Sequence, residues 1–128
     1  MSRYKYEIRI AAKFESAHYL YDYFAPGENE PLHGHSYKAE LFIGSNYLKN
    51  GISVDFVEIR KKFDEIITQM EHRCLNTLEP FRETNPTAEN IAEYIFLNIC
   101  DHLQRDAFVT KITVWEGPDN YASFFPAS

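Results

Sequence analysis

The chain reads as a single α+β domain of order β-β-α-α-β-β, an antiparallel sheet with two helices on one face. Three observations predict this. Two runs of alternating polarity open the chain, over residues 3–14 and 35–44; alternation with period two marks a strand with one buried face. Two stretches with apolar residues three or four apart follow, over 55–72 and from 85 onward, which is helix periodicity. Two further β-rich runs close the chain around Gly117-Pro118-Asp119-Asn120. Strands grouped at both ends of a helical middle describe a sheet covered on one side.

Taken in order, residues 3–14 form the first strand, and His18 closes its run. Residues 19–32, with Pro26, Gly27 and Pro31, read as a loop. In the second strand Tyr37, Ala39, Leu41 and Ile43 share a face opposite Lys38, Glu40 and Phe42, and His33 and His35 continue the Tyr37 face. Residues 45–53 turn the chain, helped by Asn50-Gly51. Asp55 is the expected N-cap of a helix running to about His72, with Phe56, Ile59, Phe63, Ile66, Ile67 and Met70 as its core stripe. Asn76 to Pro86 reads as a loop. Asn85 is then the expected N-cap, and Pro86 the first residue, of a helix with Ile91, Ile95, Ile99 and Leu103 on one face. Strands over Phe108–Glu116 and Tyr121–Phe125 flank the last turn. No repeat, linker or low-complexity segment interrupts the single domain over 1–128.

Composition narrows the function classes. At 45% hydrophobic and 16% aromatic, the chain is too apolar for a disordered segment. A net charge of −6 argues against a nucleic-acid-binding surface but leaves room for a local basic pocket around a small anion. Cys74 and Cys100 suggest no disulfide framework, so a reducing, cytoplasmic setting is expected. No signal peptide is evident, and no stretch is apolar enough to span a membrane. Four strands leave two sheet edges, so either assembly by edge pairing or a monomer with covered edges is expected.

The candidate chemistry centres on His18, His33 and His35. On a strand, His33 and His35 project side by side, with Gly34 between them. If the first two strands pair, His18 joins them. Three neutral imidazoles with an open fourth position form a catalytic type of zinc site. Spacing alone leaves a second reading open, that of solvated or hydrogen-bonded histidines.

The collinear series Phe14-Glu15-Ser16-Ala17-His18, Leu32-His33-Gly34-His35-Ser36-Tyr37, Val54-Asp55-Phe56, Glu71-His72-Arg73-Cys74-Leu75-Asn76, Asn85-Pro86-Thr87-Ala88-Glu89-Asn90 and Val114-Trp115-Glu116 resembles the 6-pyruvoyl-tetrahydropterin / 6-carboxy-tetrahydropterin synthase family. The resemblance implies the tunnelling fold, in which subunits close a barrel by oligomerisation, commonly as a hexamer of two trimers with active sites between subunits. It implies Zn2+ on His18, His33 and His35. It implies a pterin held by Glu116, whose carboxylate can accept two parallel N–H bonds, helped by Thr87 or its neighbours at the N-terminus of the second helix.

One departure bears on the reaction. Most members carry a cysteine base four residues before the first His of His-Gly-His; here that residue is Asn29, which cannot take a proton at neutral pH. Glu30 follows, and Glu-x-x-His-Gly-His resembles a subgroup in which glutamate replaces the cysteine. That subgroup converts 7,8-dihydroneopterin triphosphate to 6-hydroxymethyl-7,8-dihydropterin for folate synthesis, so Glu30 becomes the expected base. The usual Asp-His relay reads Glu71-His72 here. Cys74 is expected to be a small buried hydrophobe. Arg9, Lys13, Lys38 and Lys111 are candidate triphosphate partners. The alternatives are 6-carboxy- or 6-pyruvoyl-tetrahydropterin synthase activity, the former in the route to queuosine, or a non-catalytic pterin-binding homologue.

Overall fold

A computed structural model describes residues 3–104 and 106–127. Strands β1 (Tyr6–His18) and β2 (His33–Ser45) precede helices α1 (Phe56–Met70) and α2 (Ala88–Ile99), and strands β3 (Ala107–Glu116) and β4 (Asn120–Phe124) follow. The sheet is antiparallel, as the sequence predicts, and its strands lie side by side in the order β1-β2-β3-β4. The strands β1 and β2 run the full thirteen residues each, reaching His18 and His33 at one end. Asn50 and Gly51 both adopt positive φ (54° and 79°), the backbone that a tight turn between Lys49 and Ile52 requires.

Both helices pack on one face of the sheet, α1 over β1 and α2 over β3 and β4. The core between them holds Ile10, Phe14, Leu41, Ile43, Phe63, Met70, Ile91, Ile95, Ile112 and Val114. Strand parity explains the choice: Ile10 faces Leu41, and Leu41 faces Ile112, across the ladder. Between Phe42 and Ile43 the register shifts, so Thr110 is the extra residue of a bulge and Val109 returns to the core side.

Several expected boundaries move. The α1 stripe holds from Ile59 to Met70, but Phe56, the first residue of the helix, is 58% exposed beside β1. That helix ends at Met70; Glu71 is extended and His72 takes φ 55°. Residues 76–86 contain part of the 3₁₀ turn Leu75–Thr77 and the whole of Glu79–Phe81. Thr87, not Asn85, caps α2, its hydroxyl accepting the Asn90 N–H at 3.2 Å. Asn85 is instead committed to the loop, pairing with both the N–H and the C=O of Tyr21. Leu103 lies beyond α2, after a 3₁₀ turn over Cys100–His102. Cys74 is half-buried and unpaired rather than fully buried. Among the described residues, no helix is long and apolar enough to cross a membrane.

The opposite sheet face carries no other element of the chain among the described residues. It is polar and aromatic. Trp115 Nε1–H and Arg9 Nε–H both donate to the buried Glu40 carboxylate. Lys38 lies over the Trp115 ring and Lys111 over Phe42. Burial works to raise the Glu40 carboxyl, but the hydrogen bonds from Trp115 and Arg9 outweigh it, and the group titrates below its ordinary 4.5.

Two outcomes follow for stability. Truncating fully buried Phe63 to Ala lowers the unfolding free energy by about 3–5 kcal/mol, whereas Phe56→Ala changes it by less than about 0.5 kcal/mol; denaturant titration separates them. Because the Glu40 carboxyl is depressed in the folded state, its contribution is complete above the ordinary carboxyl value and disappears as pH falls through the lower folded value. Melting curves therefore show Glu40→Gln less stable than wild type at pH 7, with the gap closing at the acid end.

Candidate active site

The β1–β2 register sets the site. His18 lies directly opposite His33, and Ser16 opposite His35. Opposed residues share a face, so the three imidazoles project together at the end of the helix-covered side. Their ring centroids are 4.7–5.1 Å apart. One potential ligand atom from each lies within 4.8 Å of the others.

Neighbouring acceptors fix the tautomers. His18 Nδ1 sits 2.9 Å from the Pro86 carbonyl, and His33 Nδ1 2.8 Å from the Pro31 carbonyl. A carbonyl only accepts, so Nδ1 carries a proton in both rings, and the neutral tautomer this selects keeps its lone pair on Nε2. Tyr37 Oη accepts from the same His18 N–H at 3.2 Å. Burial first, reinforced by Glu116 and Glu30, pushes the Tyr37 hydroxyl far above its ordinary value, so it stays protonated. For His35, burial lowers the pKa despite the opposing pull of Glu116, which favours the neutral ring. Glu116 Oε1 approaches His35 Nε2 to 3.0 Å but off the N–H direction, and His35 Nε2 is a buried atom with no hydrogen-bond partner. Two outward lone pairs and one orphaned ring nitrogen are the donor set a zinc ion takes, with backbone carbonyls supplying the usual outer-sphere hydrogen bonds.

Two carboxylates flank the cluster. The loop that brings Glu30 is stitched down by asparagines: Asn76 pairs with the N–H and C=O of Tyr19, and Asn85 with those of Tyr21. Leu20, between them, accepts the Glu30 N–H at 2.9 Å and donates to Glu30 Oε1 at 3.2 Å. Glu30 is thus held by main chain and side chain, with Oε1 3.7 Å from His33 Nδ1. Asn29 accepts the Asp22 N–H at 3.1 Å and serves the loop. Glu116 stands on β3 opposite Tyr37, on the imidazole side. Thr87 follows Pro86, whose carbonyl is hydrogen-bonded to His18; its oxygen caps α2, and its hydroxyl proton has no acceptor among the described residues.

The Glu71–His72 pair is formed, with Oε1 and Nε2 3.0 Å apart. Its surroundings differ from those of the triplet. The segment 72–74 runs along the free edge of β1, with His72 N–H on Glu15 O and Ala17 N–H on Arg73 O. His72 lines an open cavity of about 630 Å3 with Glu15, Ala17, Gly34 and Ser36, which stand on the opposite sheet face from the imidazoles; the cavity reaches round to His35. Among the described residues, no hydrogen bond, ion pair or ring contact joins Glu71 or His72 to the three-histidine cluster. Sequence reading did not single out Tyr37 or the Pro31 and Pro86 carbonyls. Parity with His33 and His35 marks Tyr37; nothing local marks the carbonyls.

The fold and site have counterparts. The profile of the 6-pyruvoyl tetrahydropterin synthase family matches residues 7–127. The dihydroneopterin monophosphate aldolase of Pyrococcus furiosus is 33% identical over 113 residues, 88% of this chain and 91% of that protein. A putative 6-carboxy-5,6,7,8-tetrahydropterin synthase of Archaeoglobus fulgidus is 28% identical over 117 residues, 90% of this chain and 91% of its own length. The solved 6-pyruvoyl tetrahydropterin synthase of Caenorhabditis elegans superposes with a TM-score of 0.82 at 24% identity, covering 99% of this chain and all of that one. A match across nearly the whole chain, with the same β-β-α-α-β-β tunnelling fold, makes this protein a member of the 6-pyruvoyl tetrahydropterin synthase family.

Proposed function

We propose that this protein is a zinc-dependent lyase that cleaves the C1′–C2′ bond of a phosphorylated 7,8-dihydroneopterin, releasing 6-hydroxymethyl-7,8-dihydropterin for folate synthesis. The observation that carries the reading is Glu30, tethered at the edge of the three-histidine cluster in a chain whose neighbouring residue, Asn29, lacks the thiol of the common synthases. Bound by His18, His33 and His35, zinc would supply Lewis-acid polarisation of the substrate's side-chain hydroxyls.

The chain's own residues supply the rest. One Glu30 oxygen is occupied by the Leu20 N–H, while Oε2 has no hydrogen-bond partner among the described residues. That oxygen takes the proton of the 2′-hydroxyl. The C1′–C2′ bond breaks, C2′ leaves as the aldehyde of a phosphorylated glycolaldehyde, and the bonding pair passes into the pterin ring. His72, held by Glu71, returns a proton to C1′, so one proton leaves O2′ and one arrives at carbon. Glu116 accepts the paired N–H groups of the pterin's 2-amino-4-oxo edge, and the free Thr87 proton donates to the same ring.

Within one chain Glu71 and His72 make no contact with the triplet, so in this reading they serve the site of a neighbouring subunit. The edge of β1 before Glu15, the edge of β4 and the sheet face left uncovered among the described residues support closure into a barrel, as a cytoplasmic homohexamer of two trimers. The substrate is read as the triphosphate; the aldolase relative's name favours a monophosphate, and both belong in the assay. Tetrahydropterin-synthase activity is disfavoured by Asn29.

Zinc-loaded protein is incubated with each phosphorylated dihydroneopterin, and products are identified by mass spectrometry. Hydroxymethyl-dihydropterin is expected, and Glu30→Ala lowers kcat by about 10²–10⁴-fold. Acetaldehyde with carboxy-type pterins, or equal turnover by Glu30→Ala, sinks the cleavage reading. Chelation abolishes turnover and zinc restores it. Co-expressing His33→Ala with His72→Ala, each inactive alone, restores about a quarter of wild-type activity if each site draws on two subunits; no recovery places both residues in one chain's site.

A further inference from the structure

Among the described residues, no lysine or arginine forms an ion pair or hydrogen bond with His18, His33 or His35, or with the flanking Glu30 and Glu116. A phosphate dianion on the substrate side chain therefore needs its positive partner from another part of the site.

The sequence candidates on the open sheet face are mostly engaged. Arg9 is bonded to Glu40, Lys38 lies over Trp115 and Lys111 over Phe42. Lys13 lines a second cavity of about 450 Å3 beside Trp115.

Arg73 differs from all of them. It is the one lysine or arginine lining the cavity that His35 and His72 share. Its side chain is exposed and, among the described residues, joins no ion pair and no hydrogen bond, although the chain carries 19 acidic residues. The nearby carboxylates are already occupied, Glu71 by His72 and Glu15 by the Ser36 hydroxyl. Its main chain is fixed, because its carbonyl accepts the Ala17 N–H at 2.9 Å and Cys74 bridges to Ala17. An unneutralised guanidinium on an anchored backbone, one residue from the proposed proton relay, is the fork that phosphate oxygens match in two parallel bonds.

From this placement we infer that Arg73 is the residue that recognises the substrate's phosphate. The inference rests on the cleavage reading above. At the neighbouring subunit's site that His72 serves in that reading, His72 acts on the carbons undergoing cleavage and Arg73 holds the phosphate on the adjoining carbon, C3′. Arg73 thereby sets the preference for phosphorylated over free dihydroneopterin.

Two measurements test this. In the first, pyrophosphate binding to zinc-loaded wild type, Arg73→Ala, Arg73→Lys and Lys13→Ala is followed by calorimetry. Arg73→Ala weakens it by roughly 10- to 100-fold, the worth of charge-assisted hydrogen bonds, Arg73→Lys recovers part, and Lys13→Ala leaves it near wild type. In the second, KM is compared for dihydroneopterin with and without its phosphate. Arg73→Ala raises the ratio of phosphorylated to free KM by the same factor while kcat changes little. Equal pyrophosphate affinity in wild type and Arg73→Ala, loss with Lys13→Ala instead, or an equal rise in both KM values overturns the assignment. If wild type cleaves no pterin yet binds pyrophosphate through Arg73, the cleavage reading fails and the phosphate assignment stands.

Discussion

The antiparallel pairing of β1 with β2 is the constraint on which the rest depends. One register places Ile10 against Leu41, Phe14 against Tyr37, and His18 against His33. The same parity that buries the core therefore carries three imidazoles to the end of that face. A slip of one residue would turn every β1 side chain to the opposite side and dissolve core and histidine cluster together. Stability and chemistry are thus linked in this sheet, and the stacked Phe14 and Tyr37 rings, 4.9 Å apart, form the floor where one passes into the other.

The loops complete what the strands begin. Two asparagines from the 76–85 segment act as substitute strand partners for Tyr19 and Tyr21. This makes the Leu20–Glu30 junction a fixed end of a loop rather than a mobile one, and a carboxylate bonded through both backbone and side chain loses little further freedom on binding a substrate. The helix termini contribute through backbone atoms: the chain entering α2 offers the Pro86 carbonyl to His18, and the chain leaving α1 turns through the positive φ of His72 to run along β1.

Charge is divided between the two sides of the sheet. The imidazole end holds three imidazoles and two carboxylates, Glu30 and Glu116, a setting suited to a cation and to the N–H edge of a heterocycle. The open face pairs Arg9, Lys38 and Lys111 with Glu40 or aromatic rings and leaves Lys13 beside a second cavity, while Arg73 stands, among the described residues, unpaired where the 71–74 segment meets the cavity shared with His35.

The sequence alone determined what parity and period can carry: four strands, two helices, the buried faces of β2 and α2, and the shared side of His33, His35 and Tyr37. These are local properties, because alternation records which side of a strand is buried. Boundaries set by competing long-range bonds were not legible. Asn85 and Pro86 spell a helix start, yet Asn85 is drawn to Tyr21 and Thr87 takes the cap; Phe56 continues an apolar stripe, yet meets solvent at the first residue of α1. The collinear motifs proposed Glu71-His72 as a partner of the zinc ligands, and only the tertiary structure separated the pair from them, since distance across a sheet edge depends on how segment 72–74 docks on β1. The same docking made Arg73 notable: a guanidinium among many charges in the sequence becomes an unpaired cation beside a cavity only when the chain has folded around it.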